Sequence, residues 1–164
     1  MLVISAAKSY TPEAYLTSTD GSLVKSQETI KILGFNFDTH PNVSAHMKVV
    51  QRKFKCRLWS LRHLKKNGFS KPDLVKVYKA MILPVAEYCS AVFHPLITKS
   101  DSNELERIQM QALKGIFGWN FSYSDLLLRS GLDRLDVRRE RRFISLAEKM
   151  VENPRFAEWF PKRL

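Results

Sequence analysis

The sequence predicts an α+β fold: a short antiparallel strand region at the N-terminus, then a predominantly helical bundle of about five helices. Three observations predict it. Before Pro41, short apolar blocks flank Asp20-Gly21, a favoured hairpin turn. After Pro41, apolar residues recur at steps of three and four. Ser, Pro and Gly stand where helices of that spacing should start and stop.

The strand region opens with the apolar run Leu2 to Ile4, and Ala14 to Thr19 lead into the Asp20-Gly21 turn with Leu23 and Val24 beyond. Thr29 to Asp38 reads as one strand, with Leu33, Phe35 and Phe37 on one face and Ile30 and Ile32 on the other. Gly34 inside it marks either the close approach of a backbone or ligand, or a simple kink. The first helix is expected from about Val43 to Asn67, ended by Gly68. Its seam is Val43, Met47, Val50, Phe54, Leu58, Leu61 and the stem of Lys65. The second starts at Ser70 as N-cap with Pro72 in its first turn. It carries Leu74, Val77, Tyr78, Met81, Ile82, Val85, Tyr88 and Val92, and Pro84 should kink or split it. The third begins among Thr98 to Ser102, carries Leu105, Ile108, Ala112 and Ile116, and stops at Gly118. A short fourth follows Ser122, with Asp125 three residues on, and ends at Gly131. The fifth runs from about Asp136 to Asn153 and is stopped by Pro154, leaving a tail anchored by Trp159 and Phe160. Three segments result: a strand region (1–40), a helical bundle (41–118) and a C-terminal helical extension (119–164).

The 164 residues are 45% apolar and 26% charged, a globular composition. Two cysteines, Cys56 and Cys89, exclude a disulfide framework and a cysteine-rich zinc module. No apolar run reaches the roughly 20 residues of a membrane span. Met1-Leu-Val-Ile-Ser-Ala is too short and lacks the basic leader for a signal peptide. An intracellular location, nucleus or cytoplasm, is expected. Lys and Arg number 27 against 16 Asp and Glu, a net charge of +11, which argues for a polyanionic partner with nucleic acid first.

The charge is concentrated. From Thr39 to Pro72 there is no acidic residue. Opposite charges four apart support a helix and like charges oppose it, so a helix carrying only cations gives up stability for some other end. At 100° per residue, Lys48, Arg52, Lys55, Trp59, Arg62 and Lys66 fall on one stripe, off the apolar seam. An aromatic among evenly spaced cations suits sugar-phosphate contact. The alternative is that Trp59 packs on a neighbouring element and the cations are merely solvated. A second basic run, Arg138-Arg-Glu-Arg-Arg142, wraps its helix too fully for one contact face, and pairing with Glu104, Glu106 or Asp125 is the structural alternative.

Catalytic patterns are missing. His40, His46, His63, His94, Cys56 and Cys89 show no metal-ligand spacing. Glu104 and Glu106, two apart on a helix, point to different sides and cannot share an acid–base task. No nucleophile elbow, Walker loop or dinucleotide fingerprint occurs. No catalytic residue, metal or cofactor is expected.

Ile30-Lys-Ile-Leu-Gly-Phe-Asn-Phe-Asp38 resembles the K-Y-L-G-V-x-(L/F)-D segment that follows the catalytic palm in reverse transcriptases of non-LTR (LINE-type, jockey-like) retrotransposons. Arg57-Leu-Trp-Ser-Leu-Arg62, Lys76 to Tyr88 and Val92-Phe-His-Pro95 are similar to that family's R-L-x-x-L-(R/K) and Y-K-x-x-(I/V)-x-P-x-x-x-Y signature. Leu105 to Leu113, Tyr123 to Leu127 and Leu135 to Arg139 look like its following helix and tail. The resemblance implies that the N-terminal residues are the palm edge and that Lys31 to Phe37 is the primer-grip hairpin, centred on Leu33, Gly34 and Phe35. It makes the helices the thumb and its extension. The family's aspartate pair has no counterpart here, so DNA polymerisation is expected only as part of a longer polypeptide. The implied partners are an RNA–DNA or DNA duplex, held by its backbone, and the palm and fingers of such a polypeptide; no membrane is implied. The rival is a helical protein-interaction module without nucleic-acid affinity, with Leu33, Phe35 and Phe37 on an exposed apolar surface.

Overall fold

The computed structural model describes residues 15–17, 19–25, 29–38 and 43–159. The Leu2–Ile4 run and Phe160 lie outside them. β1 (Tyr15–Thr17) pairs antiparallel with β2 (Leu23–Lys25) across the expected turn, where Gly21 has φ +82° and Asp20 Oδ1 accepts the Ser22 N–H at 3.0 Å.

Thr29 to Asp38 corrects the single-strand expectation. It is a hairpin of β3 (Thr29–Ile32) and β4 (Phe35–Asp38), joined by Leu33-Gly34. Both turn residues have positive φ, +49° and +84°, the geometry whose twist matches paired strands. The register sets Ile30 opposite Phe37 and Ile32 opposite Phe35. Opposed residues share a face, so these four lie together instead of dividing between two faces. Phe35 is buried and stacks on His46, whereas Leu33 is 87% exposed.

α1 (Ser44–Lys66) buries Met47, Val50, Phe54, Leu58 and Leu61 as the spacing predicts, with Val43 buried at its N-cap and Gly68 at φ +83° beyond its end. Lys65, on the same seam, donates from Nζ to the Gly115 carbonyl at 2.7 Å.

The expected second helix is broken twice. α2 (Lys71–Val77) begins at Ser70, whose Oγ accepts the Asp73 N–H at 3.3 Å. It leads into a π-helical turn (Tyr78–Ile82), then α3 (Leu83–Glu87), where the Leu83 N–H reaches the Tyr78 carbonyl five residues back. Pro84 offers no N–H and crowds the turn before it, and the extra residue of a π turn relieves both. That residue rotates the buried face. Ile82, Leu83 and Ala86 are buried, while Met81, Tyr88 and Val92 of the expected seam are exposed. Cys89, left-handed at φ +55°, makes the second break before α4 (Ser90–Phe93).

α5 (Lys99–Phe117), α6 (Tyr123–Ser130) and α7 (Leu135–Glu152) follow their predicted spans closely. Thr98 and Ser122 cap the first two, and Gly131 is left-handed after α6. The tail departs from expectation: Trp159, in a 3₁₀ turn (Pro154–Trp159), is 68% exposed with its ring against Phe156 and does not anchor to the core.

α1 lies against α5, β4 packs on α1, and α6 and α7 pack on α5. One core takes residues from all three sequence segments, from Phe35 through Phe54, Tyr78 and Leu113 to Leu126 and Leu135. A polar chain crosses it. The Tyr78 hydroxyl donates to Gln109 Oε1 at 2.9 Å, and Gln109 Nε2 donates to the Tyr123 hydroxyl at 3.0 Å and the Asp133 carbonyl at 3.1 Å. Tyr123 donates to Glu106 at 2.5 Å, and Glu106 accepts the Asp136 N–H at 2.8 Å. Burial first, then the Glu106 hydrogen bond, pushes the Tyr123 hydroxyl far above its ordinary value.

The Arg138–Arg142 run is structural, but its ion pairs go to partners other than the expected Glu104, Glu106 or Asp125. Arg138 and Arg142 both bind the buried Glu87, the latter at 2.7 Å, and Arg141 binds Asp133 at 3.0 Å. Arg139 is buried, donating to Ser102 Oγ.

Candidate nucleic-acid interface

α1 has no acidic residue in its first turn and no side-chain cap. His63, Lys65 and Lys66 in its last turn face the negative end of the helix, which favours them. Lys48/Arg52 and Arg62/Lys66 are like charges four apart, each pair opposing the helix by about 0.2–0.5 kcal/mol. Burying a single Leu or Phe of the seam contributes about 1.5–3 kcal/mol, so packing prevails and holds the cations in place.

All six stripe residues are exposed. Trp59 is 66% exposed, and its ring stacks on His63 of the same helix, centroids 5.2 Å apart and planes 13° from parallel. Lys48, Arg52, Arg62 and Lys66 carry no ion pair among the described residues. Lys55 does: its Nζ lies 2.6 Å from Glu104 Oε1 on α5. Glu104 also receives the fork of Arg107 at 2.7 and 2.8 Å. That fork, with Lys55 adding to it, holds the Glu104 carboxyl down at about 2. Glu104 and the buried Glu106 do occupy different sides of α5. The tie between Lys55 and α5 is invisible in sequence, because 49 positions separate the partners.

The hairpin residues divide. Leu33 and Gly34 form the exposed turn, and Phe35, at 5% exposure, is core and not contact surface. Phe37 packs against the same core, so of the proposed apolar surface only Leu33 is freely exposed. A Cβ at Gly34 would sit 3.4 Å from the Tyr88 ring, and the Tyr88 hydroxyl donates to the Leu33 carbonyl. Gly34 thus accommodates both a positive φ and a close approach, by a side chain and not by a backbone.

Beside the turn lies a groove of about 430 Å³ between the hairpin, α1 and α3. Its α1 side carries Lys53 and Arg57, which sequence reading left outside the stripe. His46 was also missed as a core residue. Its position one residue before Met47, three after Val43 and four before Val50 was the available signal.

Among the described residues, no His, Cys, Asp or Glu side chains gather as a metal-binding group, and no helix is long and apolar enough to cross a membrane. No family model, curated protein or solved structure matches this chain.

Proposed function

We propose that this chain binds nucleic-acid duplexes through their backbone, without regard to sequence, as the thumb and primer-grip portion of a polypeptide resembling non-LTR reverse transcriptases. One observation supports the reading above the others: the outward face of α1 holds Lys48, Arg52, Arg62 and Lys66, unpaired among the described residues, around an exposed Trp59. Positions 48 to 66 span about 27 Å at 1.5 Å per residue, enough to follow several phosphates. An RNA–DNA hybrid tends toward A-like geometry, whose wide minor groove favours backbone and shape contacts over base reading. Polymerisation by this chain alone forms no part of the reading; primer extension above a no-protein control, with magnesium or manganese, would contradict it.

Salt titration of duplex binding tests the interface. With four cations on phosphates, the log–log slope should be about −3.6, taking roughly 0.9 per contact. Arg52→Ala should weaken binding equally on unrelated sequences and make the slope shallower by about one unit. Lys71 and Lys99, in capping regions, should matter little when changed. Trp59→Ala should reduce binding with thermal stability unchanged. Salt-independent binding, or normal binding by Arg52→Ala, overturns the interface.

A protein-interaction role has its own observation: beyond Arg139, α7 buries no residue and exposes Ile144, Leu146 and Val151. A tight hetero-complex in sedimentation with no duplex affinity would favour that role.

A further inference from the structure

The groove beside the hairpin turn has the make-up of a ligand site; the cationic stripe does not use it, and of the primer-grip residues only Gly34 lines it. Its volume, about 430 Å³, falls within the usual range of small-molecule pockets. Val50, Pro84 and Val85 give it an apolar wall, and Lys53 and Arg57 stand on its α1 side. No described residue lining it is acidic. Lys53 has no acidic partner among the described residues, unlike Lys55 and Lys76, which pair with Glu104 and Asp73. Arg57 directs Nη1 to the Met81 carbonyl at 2.7 Å, which fixes the guanidinium at the groove and leaves its other N–H groups to a ligand.

His46 forms part of the groove wall. It is 2% exposed and lines the groove, its Nδ1 accepts the Asn36 N–H at 3.5 Å, and its Nε2 has no partner. That nitrogen is closed off from solvent, so the ring belongs to the groove wall and reports on the groove without itself holding a ligand. Burial, then the neighbouring Lys53, holds the imidazole below its ordinary value and so neutral. With Nδ1 accepting, Nε2 carries the proton.

We infer that this groove binds a small amphiphilic anion: a phosphate or carboxylate head between Lys53 and Arg57, and an aromatic or aliphatic body against Val50, Pro84 and Val85. The apolar wall favours such a body over the polar sugar of a nucleotide. The inference is independent of the duplex reading.

Calorimetric titration with 1-naphthyl phosphate, its neutral counterpart 1-naphthol and adenosine 5′-monophosphate tests it, with His46 ring-proton shifts as the second readout. Naphthyl phosphate should saturate one-to-one near about 0.1 mM and shift the His46 resonances, with naphthol at least about tenfold weaker. Lys53→Gln and Met81→Glu, both at exposed positions, should each weaken it about tenfold, and Lys48→Gln should leave it within about twofold. No saturation by about 1 mM, equal affinity for naphthol, or an unaffected Lys53→Gln overturns the inference. Tighter binding of the mononucleotide also overturns it and assigns the groove to the nucleic-acid surface. Duplex binding measured on the same variants keeps the two readings apart: its absence beside intact naphthyl phosphate binding removes only the stripe.

Discussion

Leu33 holds φ at +49°, where an L-residue other than Asn, Asp or Gly is disfavoured by roughly 1–2 kcal/mol. Its side chain recovers little of this, being 87% exposed. Leu33→Asn should therefore raise stability by about 0.5–1 kcal/mol in urea denaturation, because Asn-Gly is the preferred pair for this turn. Unchanged or lower stability would mean that the leucine makes a contact worth more than its strain. Glu104 makes a different prediction. Its carboxyl is depressed from an ordinary 4.5 to about 2, first by Arg107 and then by Lys55. The unfolded chain binds the proton at higher pH than the folded one, so stability is full above about 4.5 and falls as pH drops toward about 2. Glu104→Gln should flatten chemical-denaturation stability across that window. It also frees Lys55, and the salt slope of duplex binding should steepen by up to about one unit.

Two elements show how local signals compete with packing. Ser70 and Ser122 were legible as caps, and Thr98 only as one end of a range of starts, because a side-chain oxygen three residues before a backbone N–H is a local event. The break after Val77 was legible only as the effect of Pro84; that relief would come as a π turn, taking Met81 out of the buried face and bringing Leu83 into it beside Ile82, was not. On α5, Gln109 falls in the seam between Leu105 and Ala112, yet its polar partners come from the π turn, α6 and the loop before α7. Gln109→Leu keeps the volume and orphans those groups, so it should cost about 2–4 kcal/mol. A loss below about 0.5 kcal/mol would show that water or relaxation satisfies Tyr78 and Tyr123 instead.

Across the whole molecule, stability is uneven. β1 and β2 pair only with each other, in a two-stranded sheet apart from β3–β4, and the side chains of Thr17 and Leu23 are exposed. A lone two-stranded hairpin is marginal in water. The β3–β4 hairpin differs, because Phe35 ties it to α1 through His46. Amide exchange should be fast at Leu23 to Lys25, and slow in the buried middles of α1 and α5, at Phe54, Leu58, Ile108 and Ala112. Equal protection in both regions would show that β1–β2 shares the cooperative unit of the helices.

The sequence by itself determined the passage from strands to helices, four of the helix spans to within a residue or two, the Ser70 and Ser122 caps, and the cationic face of α1. Each rests on periodicity or on contacts a few positions apart, which a chain displays without folding. The tertiary structure decided the rest. It set the β3–β4 hairpin against α1, buried Phe35, exposed Trp59, tied Lys55 to Glu104, and gave Glu87 to Arg138 and Arg142. It also closed the groove between the hairpin, α1 and α3. Those outcomes depend on which surfaces meet when α1 packs on α5 and α7 folds back, and partners some fifty positions apart leave no periodic trace.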